Sequence, residues 1–144
     1  MAIALSPDFG YVALVVVLTS FFNIYMSIGV GRARKKYNVS YPTMYAVESE
    51  NKEAKRFNCV QRGHQNFLET LPLFLAVLIL GGLKHPKLAA VLGVVYLVGR
   101  YLYFKGYSTG VPENRLKSGI IFHPPVFALI GCTISLAVSL LTAR

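Results

Sequence analysis

Four apolar runs alternate with polar connections along the chain. The first, Tyr11 to Val30, carries no charge; the second, Asn66 to Leu83, holds one acid, Glu69. The third, Leu88 to Phe104, holds one base, Arg100, and the fourth, Gly119 to Ala143, is uncharged but interrupted by His123, Pro124 and Pro125. About 20 apolar residues in a helix cross the hydrocarbon core of a bilayer. The pattern therefore predicts an all-α membrane protein, a bundle of four transmembrane helices at residues 9–31, 62–83, 87–107 and 119–142 of a single domain covering 1–144. No basic segment precedes the first run, which is also too long for the core of a cleaved signal peptide. Lys84-His85-Pro86-Lys87 reads as a tight turn that pairs the second and third helices antiparallel. Pro124 and Pro125 are expected to start the last helix or kink it.

Composition supports the membrane class. Of 144 residues, 54% are apolar and only 15% charged, whereas a soluble domain this small has a large surface to cover with charge. The net charge is +9, which in a soluble chain would point to nucleic acid. Here the bases cluster at helix ends and in connections, so lipid headgroups and anionic substrates are the expected partners, with no nucleic acid. Arg32, Arg34, Lys35, Lys36, Lys52, Lys55 and Arg56 lie between the first two runs, and Lys105, Arg115 and Lys117 between the last two. The opposite side has only Lys84, Lys87 and Arg144. That imbalance predicts a multi-pass protein with both long connections cytosolic and both termini on the far side.

Ionisable groups inside spans are costly and face a bundle interior, a partner or a cavity. Arg62, Asn66 and Glu69 are spaced by four and three residues, which puts them on one helix face. Tyr96, Arg100, Tyr103 and Tyr107 keep the same rhythm on the third helix, and Asn23 and Ser27 share a face of the first that continues to Arg34. All three stripes approach the same end. Two readings are open at this point: a shared polar pocket for a small anionic or zwitterionic ligand, or interhelical bonds that satisfy Arg62, Asn66, Glu69 and Arg100 among themselves. Tyr103 and Tyr107 also suit interfacial anchoring. His64 lies beside the stripe, while His85 and His123 read as turn and cap residues. No histidine pair has metal-ligand spacing, so no metal is expected. Cys59 and Cys132 show no pairing pattern and read as reduced packing residues. No acid accompanies Ser and His as a hydrolase triad requires.

The segment Phe57-Asn58-Cys59-Val60-Gln61-Arg62-Gly63-His64-Gln65-Asn66-Phe67-Leu68-Glu69 closely resembles the signature of membrane-associated glutathione transferases, the MAPEG superfamily. Ala33-Arg34-Lys35-Lys36-Tyr37, Tyr41-Pro42-Thr43-Met44-Tyr45 and Gly99-Arg100-Tyr101-Leu102-Tyr103 look like its third type of microsomal glutathione S-transferase. The resemblance implies a homotrimer in the endoplasmic reticulum membrane, with glutathione as co-substrate between neighbouring subunits. By position it implies that Arg62, Asn66 and Glu69 hold the peptide's carboxylates and amine, with Tyr103 and Tyr107 in contact with it. Arg34 would come from across the subunit boundary, and Arg115 would stand beside the thiol. Relative to leukotriene C synthase, another member, His64 replaces a glutamine, Thr70 replaces a tyrosine, and the link from Tyr107 to Arg115 is one residue longer. Lys117 or Arg100 would be the substitutes for Arg115.

Arginine does not deprotonate at neutral pH, so Arg115 is expected to stabilise a thiolate electrostatically, with Arg34 as a second catalytic cation. The implied activities are conjugation to a hydrophobic electrophile and glutathione-dependent reduction of a lipid hydroperoxide. The competing readings are a non-catalytic lipid-binding or scaffold protein on the same bundle, and a small transporter or channel subunit. The last requires a continuous polar path, whereas these polar groups gather at one end.

Overall fold

The computed structural model describes residues 5–143; the terminal Arg144 counted above lies outside them. Its helices are α1 (Phe9–Tyr37), α2 (Ala54–Lys84), α3 (Pro86–Tyr107), the short α4 (Asn114–Gly119) and α5 (His123–Thr142), with a 3-10 turn at Ile120–Phe122 before α5. Among the described residues four segments are long and apolar enough to cross a membrane: Phe9–Tyr37, Ala54–Lys84, Pro86–Tyr107 and Ile120–Thr142. They alternate in direction, so the two long connections share one end of the bundle, called the polar end below. Apolar side chains also cover the outside, among them Leu14, Phe21, Ile24, Val91, Phe127 and Leu141, all at least half exposed. A soluble bundle would present polar residues there; lipid is the solvent this surface suits. The protein is an integral membrane protein.

Two helices run well past the apolar stretches that predicted them. α2 begins at Ala54, ahead of residue 62, and α1 continues to Tyr37, beyond residue 31. Hydropathy counts only residues that tolerate hydrocarbon, while backbone hydrogen bonding carries on into headgroup and water. α1 ends where Asn38 adopts a left-handed conformation (φ 53°), which asparagine tolerates better than most residues. Within α2, Pro72 leaves the Leu68 carbonyl without its usual donor. Pro124 and Pro125 fall in the first turn of α5, where a missing N–H costs nothing.

The connection from α1 to α2 is pinned at both sides. The Asn58 side chain accepts from Ala46 N–H (2.8 Å) and donates to Ala46 O (2.9 Å), and Asn51 Nδ2 donates to Tyr37 O. At the opposite end, Lys84 Nζ donates to Ser135 O and His85 pairs with Ser135 Oγ, so His85 joins the α2–α3 turn to α5.

Close helix contacts rest on small residues. A Cβ on Gly63 would lie 3.0 Å from Phe104 Cδ2, so this glycine lets α2 and α3 approach beside Arg62. A Cβ on Gly99 would lie 2.6 Å from the backbone nitrogen of Phe122, which cannot move without shifting the 3-10 turn. Gly99→Ala is therefore expected to destabilise the bundle by about 1–3 kcal/mol. Gly131→Ala, with nothing within 4 Å, should be neutral. Thermal unfolding in detergent distinguishes them, and equal melting temperatures for the two variants would refute the close packing at Gly99.

Candidate functional site

The polar stripes converge, but as interlocked helices. On α2, Arg62 and Glu69 form a two-pronged ion pair, Nη1 to Oε1 at 2.7 Å and Nη2 to Oε2 at 3.1 Å. Two turns of helix separate them, a distance these two long side chains span. Their side chains are 39% and 46% exposed, so the pair stands on the open surface of the bundle instead of walling a closed cavity. Between them, Asn66 turns its carbonyl oxygen to Arg100 of α3, which donates from Nη2 at 3.0 Å. One turn deeper, Thr70 Oγ1 meets Tyr96 Oη at 3.2 Å.

α3 supplies the neighbouring aromatic wall. Tyr103 is buried and packs edge-on to Tyr107 at 5.7 Å between ring centroids. Above Tyr107 lies Arg115, with Cζ 5.2 Å from the ring centroid and Nη1 donating to Pro112 O at 2.6 Å. Arg115 belongs to α4, a helix that the hydrophobic pattern does not announce because its residues Asn114 to Gly119 are mostly polar. Gly106 admits this helix: a Cβ there would collide with the Asn114 carbonyl. Thus Tyr103, Tyr107 and Arg115 gather on one side, joined to the Arg62 face across the α2–α3 contact at Gly63.

His64 and Arg34 do not join that group within one chain. His64 is half-buried and its Nε2 pairs with Asn23 Oδ1 of α1 at 2.9 Å, on the side of α2 that faces α1. Arg34 is enclosed by its own connection: Nη1 donates to Thr43 O at 2.8 Å, and the guanidinium lies 4.3 Å from the Tyr41 ring and 5.1 Å from that of Phe57. It also borders a groove of about 690 Å³ at the polar end, shared with Arg32, Lys35 and Ser40. Neither Arg32 nor Lys35 has an ion-pair partner among the described residues.

Sequence reasoning missed two residues here. Phe122 lies under Arg100 and edge-on to Tyr103, at 4.6 and 5.7 Å, and its signal was the glycine opposite it at position 99. Tyr41 covers Arg34, which only the folded connection reveals. Among the described residues no three His, Cys, Asp or Glu side chains come together as a metal site. Chemically, the arrangement offers a cation and an anion side by side, an amide, two phenols and a further guanidinium, all at one end of a lipid-facing bundle. That set complements a zwitterion that carries carboxylates.

A model of the MAPEG family matches residues 12–138. Human microsomal glutathione S-transferase 2 is 34% identical over 114 residues, covering 76% of this chain and 73% of the relative. The mouse protein of the same name is 30% identical over 132 residues, covering 88% and 85%. Bovine leukotriene C4 synthase is 32% identical over 111 residues, covering 76% and 69%.

The Asn23–His64 bond spans α1 and α2 in a region with little water to replace it. Asn23→Leu should cost about 1–2 kcal/mol, by leaving a half-buried imidazole without its partner. An unchanged melting temperature in detergent would show that the bond contributes nothing.

Proposed function

The chain belongs to the MAPEG family, and from that premise we propose that it is a membrane-bound glutathione S-transferase that stabilises the glutathione thiolate. One observation carries the reading: the surface ion pair Arg62–Glu69, with Asn66 between its members and Tyr107 and Arg115 across the helix contact. A tripeptide with two carboxylates, one ammonium and a thiol fits these groups. Arg62 takes a carboxylate in two-pronged fashion, and Glu69 takes the ammonium. Both protein charges are already held in place, so binding exchanges one ion pair for two.

The site is open on one chain, which supports assembly. A guanidinium and a carboxylate half exposed on a membrane-spanning helix are covered at less cost by a neighbouring subunit than by lipid. The proposed assembly is a homotrimer, in which Arg34 and His64 complete the peptide site and Arg34 comes from the adjacent copy. In the same proposal the long connections face the cytosol, where glutathione is supplied, and the membrane is that of the endoplasmic reticulum.

Catalysis begins with the thiol. Lowering its pKa from about 8.5 to about 6.5 takes ~2.7 kcal/mol of differential stabilisation. One nearby guanidinium typically shifts a pKa by about 1–3 units. Arg115 is assigned that role: it holds the thiolate while the proton leaves to water. The sulfur lone pair then forms a C–S bond with a hydrophobic electrophile arriving from lipid, and the leaving group departs with the electron pair. With a lipid hydroperoxide, sulfur attacks the terminal oxygen and the O–O bond breaks. The lipid leaves as an alcohol, and the oxidised sulfur condenses with a second glutathione to give the disulfide and water.

Arg115→Ala should erase the ultraviolet thiolate difference signal at neutral pH and lower turnover by about two orders of magnitude. A full signal in that variant would remove Arg115 from the mechanism. Arg62→Ala should chiefly weaken glutathione binding, by roughly 10- to 100-fold in equilibrium dialysis. An unchanged dissociation constant would dissociate Arg62 from the peptide site. If the unaltered protein neither binds glutathione nor forms thiolate, the scaffold reading takes first place.

A further inference from the structure

Arg100 stands outside the group assigned to the ligand, yet it bonds into it. The residue is 1% exposed, inside a helix of membrane-spanning length. The rings of Phe67, Tyr103 and Phe122 surround its Cζ at 5.5, 5.0 and 4.6 Å. No carboxylate among the described residues bonds to it, because Glu69 is engaged by Arg62. Nη2 donates to Asn66 Oδ1 at 3.0 Å, and Nη1 is buried without a partner.

A guanidinium has donors and no acceptor. The Asn66 amide has one end of each kind, and rotation of its last torsion exchanges them. Against Arg100 only the oxygen end fits, since the reversed amide would oppose N–H to N–H beside a fixed positive charge. The other end, the NH₂, is therefore turned away from Arg100. Among the described residues no acceptor takes it, and Asn66 lies half-buried on the face of Arg62 and Glu69. The cation also polarises the amide through the bond it makes, which strengthens donation from the far end.

We infer that Arg100 is a positioning residue for glutathione: by holding Asn66 Oδ1 it makes the Asn66 amide an obligate donor to a carbonyl or carboxylate oxygen of the peptide. The inference rests on the reading of the Arg62–Glu69 face as the peptide site. A side chain at position 100 that is not solely a donor would neither hold the Asn66 amide in this orientation nor polarise it, so the peptide oxygen would meet a weaker donor that must first be oriented.

The test is a double-variant cycle on the full chain in detergent, with glutathione affinity measured by isothermal titration calorimetry and folding checked by thermal unfolding. Arg100→Met fills the aromatic cage without a donor and should weaken binding about tenfold, as should Asn66→Ala. The double variant should bind no more weakly than Asn66→Ala alone, because the two act through one bond. Arg100→Lys, also solely a donor, should stay within about threefold of the unaltered protein. Should the methionine variant fail to fold, Arg100→Gln takes its place in the cycle with the same expected loss, since glutamine accepts as well as donates. Losses that multiply in the double variant, or an Arg100→Lys protein as weak as Arg100→Met, overturn the positioning role while leaving the glutathione reading intact. An unaltered protein that gives no binding heat at saturating glutathione overturns both.

Discussion

A guanidinium buried in a membrane-spanning bundle constrains what surrounds it, because it neither gives up its proton nor finds water. Arg100 meets that constraint with one hydrogen bond to Asn66 and three aromatic faces. Each of those contacts commits a different part of the chain. Asn66 and Phe67 fix the rotation of α2 against α3. Phe122 reaches the cation only because the chain enters its last span through a 3-10 turn ahead of α5, and because Gly99 lets the Phe122 backbone come close. Tyr103, which covers the third side, is also the ring against which Tyr107 packs. The buried charge and the candidate ligand face are thus one construction seen from two sides.

The outer side of that construction is unfinished in a single chain. Arg62 and Glu69 neutralise each other on a surface whose surroundings are apolar, an arrangement held together by two strong bonds yet open to a better partner. A zwitterionic peptide and a neighbouring subunit are both candidates to cover it. Arg34 shows the complementary situation. Its guanidinium is satisfied by the carbonyls of its own connection and framed by Tyr41 and Phe57, so the α1–α2 connection fixes where this charge sits at the polar end. The bonds of Asn58 and Asn51 hold that connection against the two helices. In both places, backbone or side-chain bonds set the position of a charge before any ligand arrives. Such preorganisation lets electrostatic stabilisation act without a reorganisation cost at the moment of reaction.

Much of this was legible in the sequence, and the reason is the solvent. A bilayer demands continuous apolar helices, so Tyr11–Val30 and Gly119–Ala143 announce spans by length alone. Rare polar residues within such runs then stand out against a uniform background. The four-three spacing of Arg62, Asn66 and Glu69 put them on one face before any coordinates, and the α3 tyrosines followed the same arithmetic. The short helix bearing Arg115 was not legible, since its six residues lack an apolar stripe and it is positioned by a glycine contact with α3. Nor was the choice between a ligand pocket and interhelical bonding. In the folded chain Arg62 takes Glu69 while Asn66 takes Arg100, and His64 turns to Asn23 on α1. Periodicity determines which face a residue occupies, because helix geometry is local. Which partner it meets depends on how closely two helices approach and how each is rotated, and only side-chain packing across Gly63 and Gly99 decided that.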